Sequence, residues 1–593
     1  MVKRWIKGGL RGALRVARPL LLAGAAITVG PAHADPAQQG AIPWWQSAVV
    51  YQVYPRSFAD SNGDGVGDLN GITRHLDYLK RLGVTVVWLS PHFDSPNVDN
   101  GYDIRDYRKV LAQFGTMADF DHMLAAMHAR GIRLIIDLVV NHTSDQHAWF
   151  RKAVADPASP EHDYYIWRPA KPDGTPPNNA PSFFGGSAWS HAGAGNDEYL
   201  HYFARQQPDL NWDNPAVRRE VYDVMRFWLD KGVSGFRMDV IPLISKDPAF
   251  PDLTAQQLAD PAAAYAHGPQ THAYLGEMNR EVLSHYDTMT VGEAIGIGDN
   301  EDALFTAPAR HELNMIFHFD ASNVDRDGWR PRAWTLPELK ARYDHLYAAL
   351  GDDGWTATFL GNHDKPRAVS HFGNDDPRWR VLSAKALATM SLLQRGTPFI
   401  FQGDELGMTN FPFNAIGQFD DISARNLWHD EVDGGHVTAA EMLAILRKTS
   451  RDNARTPMQW SADAGAGFTT GHPWLAVNPN HTAINAAVEA RDPASVLNFY
   501  RRLIALRGRA PVLVRGDYHD IAPENPDVYA FTRNAGDDHA LVVVNFATHP
   551  AEVALPAGIR LKNRLIDSGG GLPAPVGART IHLQPWEASV YRF

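Results

Sequence analysis

Gly235 to Ile241 reads GFRMDVI. Phe236, Met238, Val240 and Ile241 are apolar, and the run follows a helical stretch, Pro215 to Lys231, that closes on Gly232. This is the pattern of a short buried strand, expected over residues 235–239. Two charges interrupt it, Arg237 and Asp239. They stand two residues apart, so in a strand both project from one face. A guanidinium and a carboxylate buried together are costly unless they pair or take part in chemistry. Two readings follow: an ion pair that fixes packing, or a carboxylate nucleophile kept ionised by its arginine.

Outward from this run, seven more short apolar stretches read as strands: 49–53, 86–90, 134–140, 289–292, 314–319, 356–360 and 398–401. Helical stretches lie between most of them, such as 71–82 and 117–130. Eight strands alternating with helices predict an α/β fold, a parallel (β/α)8 TIM barrel. Residues 143–212, between the third and fourth strands, are rich in Pro, Gly, Asn and Trp. That interval is too long for a plain connection and is expected to be an inserted B subdomain. The barrel would then come in two parts, 44–142 and 213–510. Beyond it, short strands alternate with turns at 528–532, 541–545, 580–583 and 589–593. They predict a C-terminal antiparallel β domain, a sandwich over 511–593.

The chain has 593 residues, 44% apolar and 21% charged, which suffices for a large core and more than one domain. A net charge of −11 argues against nucleic acid or an anionic membrane as partner and suits a neutral ligand. Cysteine is absent, which excludes disulfides, thiolate metal sites and a cysteine nucleophile. Near the N-terminus, Lys3, Arg4, Lys7, Arg11, Arg15 and Arg18 precede an apolar run, Leu20 to Val29, and then Pro31-Ala32-His33-Ala34. This order predicts a signal peptide over 1–34 and export to a periplasm or the medium. The run is too short to span a bilayer; an uncleaved interfacial anchor is the alternative. The mature protein is expected to be a monomer without stable membrane insertion.

In a (β/α)8 barrel, functional groups gather at the carboxyl ends of the strands. Here those ends carry Asp137, Asn141 and His142 on the third, Arg237 and Asp239 on the fourth, Glu293 on the fifth, and Asn362, His363 and Asp364 on the seventh. Gln402, Asp404 and Glu405 follow the eighth. Several carboxylates at one mouth suit glycoside hydrolysis, in which one acid stays ionised to attack and another stays protonated to donate.

The ordered motifs DLVVNH (Asp137–His142), QPDLNW (Gln207–Trp212), GFRMDVI, VGEA (Val291–Ala294), FLGNHDKPR (Phe359–Arg367) and RDNARTPMQW (Arg451–Trp460) carry a resemblance. The chain resembles the α-amylase superfamily of glycoside hydrolases, in its α-glucosidase branch, from about Trp44 to the C-terminus. The resemblance implies Asp239 as nucleophile, Glu293 as general acid/base and Asp364 as the third carboxylate. It also implies Arg237, His142 and His363 around the reacting ring. Asp99 and Tyr102 in DNGYDI resemble the platform for the terminal sugar, and Arg451 an arginine that closes the pocket, which implies exo action. Phe183 or Phe184 would wall the pocket from the B subdomain.

Two groups of the branch are resembled at once. QPDLNW and Val240 resemble oligo-1,6-glucosidases, which prefer α-1,6 links. FLGNHDKPRAVSHFGND and SVLNFYRRLIALR also resemble sucrose isomerases, which typically carry Thr in place of Val240, so hydrolysis is preferred. Asn323–Trp334 resembles the charged loop of the isomerases without matching it, and Lys365 replaces the Gln or Asn of both groups. Finally, Asp60 to Asp68, DSNGDGVGD, places Asp60, Asn62, Asp64, the Val66 carbonyl and Asp68 at positions 1, 3, 5, 7 and 9, a spacing for Ca²⁺ chelation by one loop. The family it resembles carries a structural Ca²⁺ in such a loop; the chemistry needs no cofactor.

Overall fold

Eight short parallel strands close on themselves in the computed structural model: Val50–Val53, Val86–Leu89, Arg133–Leu138, Gly235–Met238, Met289–Glu293, Met315–Phe317, Thr356–Thr358 and Thr397–Phe401. Each pairs with its neighbour in sequence, and the last with the first. The structure describes residues 42–593 apart from 194, 299 and 570. The expected signal peptide therefore lies outside the described residues. Among those residues no helix is long and apolar enough to cross a membrane.

Strands buried on both faces read as continuous apolar runs. Val50, Val86, Trp88, Ile135, Met289, Val291 and Phe317 form one cluster inside the barrel. Their sequence neighbours Tyr51, Val87, Ile136 and Ile316, with Phe236 of the fourth strand, pack outward against the helices. Register then decides where the charges meet. Asp137 lies directly opposite Arg237, which lies opposite Val291 on its other side. Gly235 permits this pairing: a Cβ there would stand 1.9 Å from the Met289 carbonyl oxygen, and its φ is +141°.

The fourth strand stops at Met238, one residue before its expected end. Val240 has turned into the left-handed region, at φ 37° and ψ 40°, and leads a tight turn over Ile241–Ile244. A β-branched residue there is strained by roughly 1–3 kcal/mol. Its N–H donates to Glu293 Oε2 at 3.1 Å, which helps to hold the conformation.

Helices between the strands begin with strong start signals. Thr116 and Asp119 form a capping box on Met117–His128, and Asn214 caps Pro215–Asp230. Between the third and fourth strands the chain forms a helix, Ala148–Ala155, and a three-stranded antiparallel sheet of Trp167–Pro169, Asp197–Leu200 and Trp189–His191. Bridges from His142 to Asp209 and from Tyr165 to Leu210 fix this excursion beside the end of the third strand.

At the C-terminus a five-stranded antiparallel sheet runs in the order His519–Asp520, Val528–Ala535, Asp538–Asn545, Ala588–Arg592, Asn563–Asp567. A two-stranded sheet, Ala551–Ala554 with Thr580–Leu583, packs on it through Val528, Leu541, Val553 and Ile581.

Candidate active site

The ends of strands three, four and five meet on one guanidinium. Arg237 Nη1 lies 2.5 Å from Asp137 Oδ1 and 2.7 Å from Asp239 Oδ1, and Nη2 lies 2.6 Å from Glu293 Oε2. Arg237 is 1% exposed and lies over the Trp88 ring, whose Nε1–H donates to Asp137 Oδ2 at 2.7 Å. Burial pushes the carboxyls of Asp137 and Asp239 up, and Arg237 pulls against it. Glu293 and Asp137 raise Asp239 further. Three carboxylates around one cation hold a proton more tightly than isolated acids do. The set is therefore able to present one ionised and one protonated carboxyl side by side.

Asp364, past the seventh strand, has the opposite electrostatics. Its Oδ1 receives Arg455 Nη2 at 2.8 Å and Arg451 Nη1 at 3.3 Å, and its Oδ2 lies 3.1 Å from His363 Nε2. Burial raises this carboxyl, but His363, Arg451 and Arg455 together hold it well below the usual range, so it is ionised.

Around it the remaining expected residues assemble. Tyr102 and His363 stack with centroids 5.4 Å apart and planes 7° apart, and the Tyr102 hydroxyl lies 2.6 Å from His363 Nε2. Gln52 donates its amide N–H to His363 Nδ1 at 2.7 Å, which leaves the ring proton on Nε2. Asp99 accepts from Gln207 Nε2 at 3.3 Å and Arg451 Nη2 at 3.4 Å; burial pushes its carboxyl up to about 6. His142 lies 3.2 Å from the Gln207 amide, and burial lowers it to about 4, so the ring is neutral. Arg451 is clamped on Asp421 through Nε at 3.0 Å and Nη2 at 2.6 Å.

Both phenylalanines of the inserted segment are used. Phe183 lines a cavity of about 660 Å³ together with Glu293, Asp364, Lys365 and Asn323. Phe184 lies under the Arg451 guanidinium, 5.4 Å away, and its carbonyl accepts from Asn426. Sequence reasoning missed Arg455, Asp421 and Gln52. Arg455 stands four residues after Arg451 on one helical face, a spacing that could have found it. The other two are lone polar residues with no such signal.

The glycine-rich loop is folded by its own oxygens. Asp60 accepts backbone N–H groups from Asn62 at 2.9 Å, Gly63 at 2.7 Å and Gly65 at 2.8 Å. Asp64 accepts from Val66 N at 2.8 Å, and Asn62 Oδ1 accepts from Asp64 N at 2.9 Å. Asp68 caps a helix through Gly71 N at 2.7 Å and accepts from Ser61 N at 2.8 Å. Among the described residues, no group of three or more His, Asp or Glu is gathered as a metal site. The oxygens of Asp60, Asn62, Asp64 and Asp68 thus fold the loop as local acceptors. They also fit Ca²⁺ in kind, since each is a hard oxygen with a second lone pair.

Known proteins resemble this chain over most of its length. Residues 52–516 match the family model for the alpha amylase catalytic domain, and residues 518–590 that for the maltogenic amylase C-terminal domain. The chain is 49% identical over 556 residues to an oligo-1,6-glucosidase of Parageobacillus thermoglucosidasius, covering 93% of this chain and 99% of that one. It superimposes on the solved trehalulose synthase of Pseudomonas mesoacidophila MX-45 with TM-score 0.92 and 54% identity, covering 93% of this chain and all of that one. The isomaltulose synthase of Protaminobacter rubrum gives TM-score 0.91 and 52% identity, over 93% of this chain and 99% of that one.

Proposed function

Because the chain belongs to the α-amylase family of glycosidases, we propose that it is a retaining, exo-acting α-glucosidase that releases terminal glucose from short α-glucosides, with α-1,6 links favoured. The observation that carries this is the bridging of Asp239 and Glu293 by one Arg237 side chain. Two carboxyls that share a guanidinium suit the short separation of a retaining pair, about 5 to 5.5 Å, better than the wider gap that inversion needs.

Asp239 attacks the anomeric carbon while Glu293 gives its proton to the glycosidic oxygen, and the leaving sugar departs. Glu293, now ionised, takes a proton from water, whose oxygen displaces Asp239 from the covalent glucosyl ester. Arg237 orients both acids. Asp364, ionised by its arginines, binds sugar hydroxyls and supports the positive charge that develops on the ring. His142, neutral, and His363 bond hydroxyls, Tyr102 offers its ring, and Asp99 with Arg451 closes the far end, so that one glucose fits. Val240 beside the nucleophile supports the α-1,6 preference. In this reading the protein is an exported monomer, and the loop over Asp60, Asn62, Asp64, Val66 and Asp68 binds a stabilising Ca²⁺.

One observation favours a second reading: the 54% identity to a solved trehalulose synthase. A sucrose isomerase uses the same covalent step but excludes water and returns the glucosyl unit to fructose. A product profile on sucrose, isomaltose, maltose and trehalose decides, with Asp239→Asn as blank. Glucose from isomaltose supports hydrolysis; isomaltulose or trehalulose as the main product from sucrose overturns it.

A further inference from the structure

Lys365 follows Asp364 directly and sets a cation beside it. It is 8% exposed and lines the same cavity as Glu293, the side on which the leaving group sits in the proposed reaction. Its ammonium donates one hydrogen bond, to the neutral amide oxygen of Asn323, and lies 5.2 Å from the centre of the Phe319 ring. An ammonium has three donors, so two are left without an acceptor among the described residues.

The carboxylates that Lys365 feels are Asp364, Asp325 and Glu293, and each is engaged by an arginine. Asp364 is paired with Arg451 and Arg455. Glu293 is paired with Arg237, and Asp325 lies 3.6 Å from Arg326 Nε and 2.8 Å from His371 Nε2. Arg326 adds positive charge nearby, and its Nε and Nη2 are buried without a hydrogen-bond partner. Burial together with Arg326 pushes the Lys365 ammonium down to about 7. A buried cation that no carboxylate pairs directly is costly, and an anion entering that cavity would relieve the cost.

We propose that Lys365 is a specificity-determining residue that adapts this pocket to α-glucosides whose leaving group carries an anionic substituent, a carboxylate or a phosphate. The inference rests on the α-glucosidase reading above. The anion would take the two spare donors of Lys365, in the cavity that Lys365 and Glu293 line together. Charge-assisted hydrogen bonds of this kind are stronger than neutral ones, so selectivity follows from charge as well as shape.

The test compares 4-carboxyphenyl and 4-nitrophenyl α-D-glucosides on the wild type, Lys365→Gln and Lys365→Arg. The intrinsic reactivities of the two aryl groups cancel when the ratio of their kcat/KM values is compared between variants. That ratio should fall about tenfold or more in Lys365→Gln and stay within about threefold in Lys365→Arg. Inhibition of the wild type by glucose 6-phosphate against glucose, both at pH 6, separates phosphate from carboxylate: tighter inhibition by the phosphate assigns that anion. A ratio that Lys365→Gln leaves unchanged overturns the proposal. Should Lys365→Gln fail to fold, the ionic-strength dependence of the wild type decides: a kcat/KM for the carboxylated substrate no more salt-sensitive than for the neutral one overturns it. Failure of the wild type on both aryl glucosides would instead overturn the α-glucosidase reading.

Discussion

Replacing Arg237 by Met keeps most of the side-chain volume and removes the one cation that three carboxylates share. Arg237 is 1% exposed, and its partners Asp137, Asp239 and Glu293 lie at 2.5, 2.7 and 2.6 Å. Removing one partner of a buried pair costs about 3–5 kcal/mol, and three orphaned acids place this site at the upper end. Since domains are stable by about 5–15 kcal/mol, the variant still folds but marginally. Its deficit must also depend on pH. Without the cation, the folded-state carboxyls titrate well above their unfolded value of about 4. A raised carboxyl keeps in the folded state a proton that the unfolded chain releases, so stability is present below about pH 4 and is lost as pH rises towards the folded pKa. Each displaced pKa unit contributes about 1.4 kcal/mol. The deficit of Arg237→Met relative to wild type should therefore be larger at pH 8 than at pH 5 by at least about 1.4 kcal/mol. Urea unfolding followed by tryptophan fluorescence at both pH values measures it. Protonation of the nucleophile should also lower kcat/KM on isomaltose by about a thousandfold, equivalent to about 4 kcal/mol. Equal deficits at the two pH values, or a variant with a tenth of wild-type activity, would refute the shared-cation account.

Val240→Thr should shrink the isomaltose-to-maltose kcat/KM ratio about tenfold, or about 1.4 kcal/mol; an unchanged ratio means that this side chain does not set linkage. Gly235→Ala forces a methyl against the Met289 carbonyl oxygen at a φ of +141°. It should cost more than about 4 kcal/mol and show as lost soluble protein or a collapsed Tm; a near-native Tm would mean that the two strands part easily. Dialysis against EDTA should lower Tm by a few degrees, restored by Ca²⁺, because saturating ligand at a hundredfold its Kd stabilises by about 2.7 kcal/mol; identical melting curves would remove the metal from the loop. Burial pushes the Asp404 carboxyl up to about 7. Its share of stability is therefore present below about pH 4 and lost as pH rises through 7, on the order of a few kcal/mol. Asp404→Asn should flatten the stability profile between pH 5 and pH 8, and an unaltered slope would assign that dependence to other groups.

The barrel was legible because parallel strands covered on both faces cannot hide in an alternating pattern. Each apolar run became a strand, with ends off by a residue or two, because hydrophobicity marks the run but not the last ladder bond. The reactive cluster was legible for a related reason. Arg237 and Asp137 are charges inside apolar runs, and only pairing or chemistry tolerates them there. Residues that hold those charges from outside left no such mark. Asp421, which clamps Arg451, and Gln52, which sets the His363 tautomer, look like ordinary polar residues until the fold brings them in. The turn at Val240 was equally silent, since a β-branched residue argues locally against the left-handed conformation that it adopts.

The acidic loop and Lys365 show where spacing stops being evidence. In the loop, positions 1, 3, 5 and 9 fix which oxygens could ligate, but the same oxygens are the nearest acceptors for the loop's own N–H groups. Spacing alone cannot rank a metal against that local competition. At Lys365 the sequence shows a cation beside Asp364, and the simplest expectation is that the two neutralise each other. They do not, because Arg451 and Arg455 reach Asp364 from residues nearly ninety positions away. Whether a charge is satisfied is a property of the whole constellation. The same adjacency in sequence would describe a closed ion pair or an open anion site, and only the positions of the competing arginines separate the two.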